Sequence, residues 1–237
     1  MERISSKRKC LECKVHSITL LNKLNVDEIN YLDVEKECLY FKKNEIIYKE
    51  GVNISGCYFI NEGVIKLYSV GVKGKEQIIK LAKKGDVLGY RALFNEEKTC
   101  HTAKVLEDTI VCFVPKKVMF DLVIANSNFA LDLLKFVCKE LYIVNNLLKD
   151  IAQKTVKERL STVLLNLIDD FGLDQKNFLK VSISRNDLAN LIGTAPENVI
   201  RTLNKFKELN YIETLGRKIK IVDKKALEKI ANNNYLI

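Results

Sequence analysis

The residues with the clearest chemical potential lie in the last third of this 237-residue chain. Glu197 and Arg201 stand four positions apart in a stretch with helical spacing that begins at Pro196, so their side chains share one face. A carboxylate accepts from the N4 amine of cytosine, and a guanidinium donates to O6 and N7 of guanine. The pair therefore has the chemistry to read base edges in a DNA major groove. The alternative is a salt bridge on a solvated helix, worth roughly a few tenths of a kcal/mol.

Cysteine is the second residue type that could do chemistry, because the chain holds seven. Cys10 and Cys13 form a close pair near the N-terminus, and His16 follows three positions later. Such residues can ligate zinc or iron. The alternatives for the pair are a reversible thiol switch and thiols that hold no ligand. Cys57 and Cys138 lie in apolar patterns, and we expect both to be inert core residues.

The elements that would position Glu197 and Arg201 follow a winged helix-turn-helix pattern. Gly193 permits a sharp turn between two helices, and Pro196 at the first helical position has no useful N–H to lose. Ala195 is a poor N-cap, so the second helix gains little from side-chain capping. The predicted elements are a helix over 155–173, a strand over 178–183, helices over 184–192 and 196–209, and a hairpin of 211–213 with 218–222.

Residues 38–115 show a different pattern, in which short apolar stretches alternate with glycines or polar turns. Their spacing of roughly 8–12 residues is typical of an antiparallel β-barrel or sandwich. The predicted strands are 45–48, 57–60, 64–68, 77–81 and 110–114, and the expected turn glycines are Gly51, Gly63, Gly74, Gly85 and Gly89. Short helical segments are predicted between about 15 and 35.

A regular apolar seam follows the β region. Its residues step by three and four positions for about two and a half heptads: Leu134, Val137, Leu141, Val144, Leu148 and Ile151. Such a seam packs either on its own domain or against a second copy as a two-stranded coiled coil. We divide the chain into 1–125, a β domain with a cysteine-containing arm, 126–153, a long helix, and 154–237, the helix-turn-helix region.

Composition and motif content argue against a membrane protein, a secreted protein and an enzyme. A hydrophobic content of 47% and a charged content of 29% are those of a globular chain, and the net charge of +9 permits a polyanionic partner without specifying one. No apolar signal region or run of about 20 apolar residues is present, so we expect a cytoplasmic protein with no membrane partner and reduced cysteines. Walker-type, nucleophile-elbow and HExxH motifs are absent, which argues against an enzyme.

Taken together, these motifs resemble the Crp/Fnr family of bacterial transcription regulators over nearly the whole chain. The resemblance is carried by the spacing of the five turn glycines, by the segment 85–89, and by the segments 183–188 and 197–201 around Gly193. It implies an α+β fold with an N-terminal antiparallel, jelly-roll-like β-roll sensor domain, a long dimerisation helix and a C-terminal winged helix-turn-helix. It also implies a homodimer on a palindromic operator in double-stranded DNA. RNA polymerase would be a further partner of an activator.

The resemblance assigns roles to individual residues of the helix-turn-helix. Glu197 and Arg201 match the residues that read a half-site containing TGA, and Ile200 matches a variable position that holds serine in the fumarate–nitrate regulator branch. Phosphate contacts are implied for five residues: Ser184, Arg185, Thr194, Lys205 and Arg217. In this account, signal binding changes the packing of the long helix and thereby the spacing of two recognition helices, which DNA requires to be roughly 34 Å apart.

The family's cyclic-nucleotide pocket corresponds here to Gly89, Tyr90, Arg91, Thr99 and Cys100. Tyr90 replaces the ribose-binding Glu and Cys100 replaces the phosphate-binding Arg, so a buried cyclic phosphate would lack its bidentate donor. We therefore predict no tight binding of cyclic AMP. The alternatives are another small-molecule effector, no effector, or a second-messenger-binding module. The last would explain the β-roll but not the wing and recognition helix.

The thiols suggest a different effector. Cys112 matches the β-domain cysteine that ligates the iron–sulfur cluster in the fumarate–nitrate regulator branch, whereas Thr19 lies near the place of a third N-terminal cysteine. A set of three cysteines and one histidine then follows: Cys10, Cys13, His16 and Cys112. It would suit a [4Fe–4S] cluster with one unusual ligand or a structural zinc. We expect the other four cysteines to be structural: Cys38, Cys57, Cys100 and Cys138.

Overall fold

A computed structural model describes residues 10, 19–71 and 74–232, together with the backbone of residues 2–3. It divides into two compact units, the first formed mainly by residues 1–141 and the second mainly by residues 142–237. In the described residues, no helix is long and apolar enough to cross a membrane.

The first unit is built on an antiparallel sheet, as predicted, and the described part of the chain gives it seven strands rather than the five expected. The strands are β1 Glu2–Arg3, β2 Glu37–Phe41, β3 Ile46–Tyr48, β4 Gly56–Val70, β5 Glu76–Ala82, β6 Val87–Leu88 and β7 Thr102–Pro115. Their order is β1-β2-β7-β4-β5, with β3 paired to β7 and β6 paired to β4. The central pair is formed by the two longest strands, β4 and β7, and both strands contribute residues to each of two buried clusters.

The turn predicted at Gly63 is wrong, because β4 runs continuously through it. The register between β4 and β7 shifts around this glycine, from Glu62 to Val64, as in a β-bulge. Gly63 has φ +97°, and a Cβ there would lie 2.1 Å from Thr109 Oγ1 on β7. The glycine is thus required by a close approach to a strand distant in sequence, which local patterning does not reveal.

Helices pack against the sheet. They are α1 Val26–Glu35, α2 Tyr90–Asn95, α3 Lys116–Ala125 and the 27-residue α4 Ser127–Gln153, with a 3₁₀ turn at Leu20–Lys23. A capping box joins Asn25 and Glu28 at the start of α1. One buried cluster includes Leu32 of α1, Met119 of α3 and Phe129 of α4, packed with Phe59 of β4. The long helix predicted for 126–153 is therefore confirmed, with its first turns in the core.

The second unit contains the predicted winged helix-turn-helix. Its elements are α5 Val156–Phe171, α6 Arg185–Ile192, α7 Pro196–Glu208, β8 Ile212–Leu215, β9 Lys218–Ile221 and α8 Lys224–Ala231. A capping box of Thr155 with Glu158 starts α5, and Gly172 ends it with φ +76°. The other three helices contact α5, and every helix contributes buried apolar residues: Leu160, Leu164, Leu188, Leu203, Phe206 and Leu227.

The strand predicted over 178–183 is wrong. Only isolated bridges form there, between Leu173 and Leu179 and between Phe178 and Lys220. The amide of Leu179 donates to the carbonyl of Ile219 in β9. The pairing with β9 does not extend beyond an isolated bridge, in spite of the apolar alternation of the segment.

Candidate nucleic-acid interface and sensor sites

The turn between α6 and α7 has the geometry that its residues predict. Gly193 adopts the left-handed conformation, with φ +67°, at the end of α6. Pro196 stands at the start of α7, and Ala195 before it supplies no side-chain cap. α7 buries Val199, Leu203 and Phe206 at spacings of four and three residues. The remaining faces of α7 are thereby left towards solvent.

The three predicted base-reading residues lie on this exposed surface. Glu197, Ile200 and Arg201 are all exposed, and 47% of the apolar Ile200 is accessible. All three also line one open groove together with Lys157 of α5. The structure therefore brings the predicted readers to a common surface of α7.

Arg201 is oriented by a contact that the sequence analysis missed. Its Nη2 donates to Asn198 Oδ1 at 3.0 Å, and Asn198 Nδ2 donates in turn to Thr194 Oγ1 at 3.0 Å. Within the described part of the chain, Arg201 forms no ion pair with Glu197. The alternative of a Glu197–Arg201 salt bridge is thus not observed, and the carboxylate of Glu197 can accept a hydrogen bond from another group. The i, i+3 spacing of Asn198 and Arg201 was the available signal.

The predicted phosphate contacts fall into two groups. Lys205 and Arg217 are exposed, although Lys205 also lies 3.4 Å from Glu208. Ser184 and Thr194 are instead used inside the fold. Ser184 Oγ accepts from the amide of Asp187 at 3.0 Å and caps α6, while only 8% of Thr194 is exposed. Lys205 and Arg217 are therefore accessible to a phosphate of the DNA backbone. Ser184 and Thr194 stabilise the helix-turn-helix.

Arg185 has an unexpected orientation. Its Nη2 donates to the carbonyl oxygen of Gly216 in the turn between β8 and β9, at 3.0 Å. Its Nη1 is buried and has no hydrogen-bond partner among the described residues. Burial lowers the pKa of this guanidinium from its usual value. Arg185 therefore connects the start of α6 to the wing and retains donor capacity that the chain itself does not use.

The apolar seam of α4 remains largely uncovered within the chain. Leu134, Leu141 and Leu148 are 59%, 60% and 61% exposed. Val137 and Ile151 are also exposed, and Val144 is half-buried. Leucines exposed at regular heptad spacing are unusual on a helix that has no partner. Cys138, expected in the core, is exposed on the same helix, so that prediction is wrong.

A cavity of about 470 Å³ lies between α2 and the first turns of α4. Its lining includes Tyr90, Arg91 and Cys100, as predicted, and also Lys98 and Leu133. The ring of Tyr90 packs edge-on against Phe136 of α4, with 5.0 Å between ring centroids. Residues of the segment after Gly89 and residues of the long helix thus line the same cavity.

Gly89 and Thr99 support this cavity without lining it. Gly89 has φ +84°, and a Cβ there would lie 2.5 Å from Ile54 Cδ1. The hydroxyl of Thr99 donates to the carbonyl oxygen of Lys49 at 2.6 Å. Both residues therefore shape the loops around the predicted effector segment.

His101, beside the cavity, was not singled out from the sequence. Its Nδ1 lies 3.3 Å from Cys100 Sγ, and its Nε2 lies 2.9 Å from the Tyr48 hydroxyl. Burial, together with the nearby charge of Arg91, lowers the pKa of His101 to about 4. The imidazole is therefore neutral at physiological pH. Tyr48 lies 53 positions away, so the contact depends on strand register.

Cys112, a predicted metal ligand, faces another thiol. Its Sγ lies 3.5 Å from Cys38 Sγ, and Asn61 Nδ2 donates to it at 3.1 Å. The hydrogen bond with Cys38 and burial raise the pKa of Cys112. Cys38 was expected to be structural, and it is indeed buried, as is Cys57. The pairing itself was not predicted, because it depends on the register of β2 and β7.

Cys10, the other described member of the predicted metal set, is also buried. Lys36 Nζ donates to its Sγ at 3.0 Å, and the carboxylate of Asp33 accepts from its amide at 2.9 Å. Burial raises the pKa of the Cys10 thiol to about 11. Cys13 and His16 lie outside the described residues. Among those described, no group of three or more potential ligands could hold a metal ion, so the set of four stays a prediction.

Two family models match this chain. The cyclic nucleotide-binding domain matches residues 38–126, and the Crp-like helix-turn-helix domain matches residues 158–230. Together they cover more than half of the chain.

Curated relatives match almost the whole length. The chain is 27% identical to the fumarate and nitrate reduction regulatory protein of Yersinia pestis, over 94% of this chain and 90% of that protein. It is 26% identical to the transcriptional activator protein Anr of Pseudomonas protegens, over 93% and 91%.

Solved structures share the fold. FixK2 of Bradyrhizobium japonicum superposes with a TM-score of 0.73 at 22% identity, over 82% of this chain and 96% of that one. A putative regulator of the crp/fnr family from Eubacterium rectale gives 0.73 at 20% identity, over 90% and 97%. These relatives are transcription regulators rather than enzymes. With the β-roll, the long helix and the winged helix-turn-helix in place, the chain belongs to the Crp/Fnr family of DNA-binding transcription regulators.

Proposed function

We propose that the protein binds DNA as a homodimer, on a palindromic operator whose half-sites resemble TGA. The observation that carries the proposal is the exposed surface of α7, where Glu197, Ile200 and Arg201 lie together and Asn198 orients the guanidinium of Arg201. An Arg so held can donate bidentately to guanine, and Glu197 can accept from cytosine. One copy of α7 reads one half-site, so a palindrome requires two copies.

The second copy is inferred from the exposed seam of α4. Each seam leucine is about 60% exposed, so its burial between subunits contributes roughly 1–2 kcal/mol. Three such leucines per chain favour association, and the seam's heptad steps fit a two-stranded packing. We therefore infer that the apolar seam is buried by packing against α4 of a second copy of the chain.

A selection experiment tests the proposal. The full-length protein is incubated with a library of random duplexes about 30 base pairs long, and the bound fraction is sequenced. We expect enrichment of two inverted TGA-like half-sites about one helical turn apart. Enrichment of an unpaired half-site would contradict the dimer, and bound DNA without any sequence preference would contradict direct readout.

We further propose an effector other than cyclic AMP. At the two positions that would bind its ribose and phosphate stand Tyr90, which is 8% exposed, and Cys100, a thiol. Arg91 and Lys98 line the cavity, but the pattern implied by the family places neither at the phosphate position. Titration calorimetry with cyclic AMP should show no binding in the micromolar range, and an affinity of micromolar or tighter would contradict this.

Iron–sulfur or zinc binding by Cys10, Cys13, His16 and Cys112 stays a prediction. The described members of the set are turned to other partners, Cys10 to Lys36 and Cys112 to Cys38. Protein purified without oxygen provides the test, through its visible spectrum and its content of iron, sulfide and zinc. Colourless, metal-free protein that binds the selected operator would refute the prediction and leave the DNA-binding proposal intact.

A further inference from the structure

The cross-strand pair Cys38–Cys112 has the geometry of a dithiol close to bond formation. Their Cα positions are direct partners in the antiparallel register of β2 and β7, between the pairs Leu39–Val111 and Glu37–Phe113. Direct partners in such a ladder lie about 4.5–5.5 Å apart, within the Cα separation of about 4.4–6.8 Å that disulfides span. The two Sγ atoms lie 3.5 Å apart. A bond of about 2.05 Å therefore needs a closure of only about 1.5 Å.

The two thiols lie in a closed environment. Asn61 Nδ2 donates to Cys112 Sγ at 3.1 Å. Each cysteine is 7% exposed, so the pair is accessible only to a small oxidant. Cys57, on the neighbouring strand β4, is fully buried and provides an internal comparison.

We propose that Cys38 and Cys112 form a two-electron redox site, which a peroxide converts to a disulfide. The thiolate of one cysteine attacks one oxygen of hydrogen peroxide, the O–O bond breaks, and the products are a sulfenic acid on that cysteine and hydroxide, which takes the proton that the thiol gave up. The sulfur of the other cysteine then attacks the sulfenic sulfur, the S–O bond breaks, and water leaves with the proton of this second thiol. In total, two thiols and one peroxide give one disulfide and two waters. An external dithiol reverses the reaction by exchange.

This site is independent of the proposed DNA-binding function. It needs only strands β2 and β7 and two residues within the β domain. The disulfide would join strands whose cysteines are 74 positions apart, and closing a loop of that length restricts the unfolded chain. We therefore expect the oxidised protein to unfold at a higher denaturant concentration than the reduced protein.

The test is peptide mapping of the wild-type protein. Fully reduced, metal-free protein is treated with hydrogen peroxide, quenched with acid, denatured and alkylated. Trypsin releases Cys38 in peptide 37–42 and Cys112 in peptide 105–116, each with no other cysteine. We expect these peptides linked, with a mass two hydrogens below their sum, and separated again by dithiothreitol. The proposal is overturned if both peptides are fully alkylated while other cysteines are oxidised. It is also overturned if Cys38 or Cys112 is linked to a third cysteine.

Variants sharpen the assignment. Cys38→Ser leaves Cys112 without its partner, so the sulfenic acid should accumulate and be trapped by dimedone. Cys57→Ser, the matched control on β4, should retain the Cys38–Cys112 link. Loss of the link in C57S, with its fold intact by circular dichroism, would contradict the proposal. If C38S does not fold, the peptide map of the wild-type protein by itself shows whether Cys38 and Cys112 form the disulfide.

Discussion

Arg185 Nη2 donates a hydrogen bond to the carbonyl oxygen of Gly216 at 3.0 Å and so fastens the wing to the start of α6. The family resemblance implied a phosphate contact for this arginine. In the structure it spans two elements 31 positions apart, with a second, buried nitrogen, Nη1, that has no partner among the described residues. We infer that Arg185 positions the wing, while its phosphate contact stays a prediction.

We expect Arg185→Ala to weaken both the fold and DNA binding. The lost hydrogen bond should lower the free energy of unfolding by about 1 kcal/mol, and the loosened wing should lower affinity for every DNA sequence alike. Arg185→Lys keeps the charge but not the planar fork, so it should not restore the wing. Urea unfolding and fluorescence anisotropy measure the two effects.

Arg217→Ala is the matched control, because Arg217 is exposed in the same wing turn. It should reduce DNA affinity and leave stability unchanged. If Arg185→Lys restores full affinity and stability, charge alone suffices and the positioning role is wrong.

If the seam of α4 forms the dimer interface, one charged residue introduced into the seam should dissociate the dimer. Leu148→Asp places a carboxylate where a leucine that is 61% exposed in the single chain should become buried between subunits. We expect the dissociation constant of the dimer to rise at least roughly a hundredfold, about 3 kcal/mol, with a parallel loss of operator affinity. Analytical ultracentrifugation measures the first quantity and anisotropy the second.

Lys149→Asp introduces the same carboxylate one position along α4, on an exposed residue outside the seam. This control should remain a dimer. A dimeric L148D variant would show that the interface lies elsewhere.

Acid should destabilise the protein through His101. Burial and Arg91 lower its pKa in the folded state to about 4, against 6.5 as its ordinary value. The unfolded chain therefore binds the proton more tightly, so the contribution is complete above pH 6.5 and is lost as the pH falls towards 4. The loss amounts to about 3 kcal/mol at most.

Urea unfolding of wild type and His101→Gln at pH 7 and pH 4.5 measures this contribution. The variant should lose less stability on acidification than the wild type, because it has no imidazole at this position to protonate. Equal losses in the two proteins would rule out His101 as the source.

Local signals predicted the helix-turn-helix well. Gly193 and Pro196 both act through their own backbone, so their positions in the chain were sufficient to predict the turn between α6 and α7. The strand predicted over 178–183 failed because strand pairing needs a partner edge, and β9 supplies only one bridge there.

Contacts between strands were beyond prediction from one sequence. Gly63 lies in a bulge because Thr109 approaches it from β7, and Cys38 meets Cys112 only through the register of β2 with β7. Asn198 holds Arg201 at a spacing visible in the sequence. Its amide was overlooked, because charge complementarity pointed to Glu197 instead.

The central claim is that Arg201 reads a base, and one variant tests it most directly. Affinities of wild type, Arg201→Ala and Lys205→Ala are measured on the selected operator and on a duplex with both half-sites scrambled. We predict that Arg201→Ala loses about 1–3 kcal/mol per half-site on the operator, and little on the scrambled duplex, so that its sequence preference collapses. Lys205→Ala should weaken binding to both duplexes alike. An equal loss on both duplexes for Arg201→Ala would show that Arg201 only contacts phosphate, and would contradict the account.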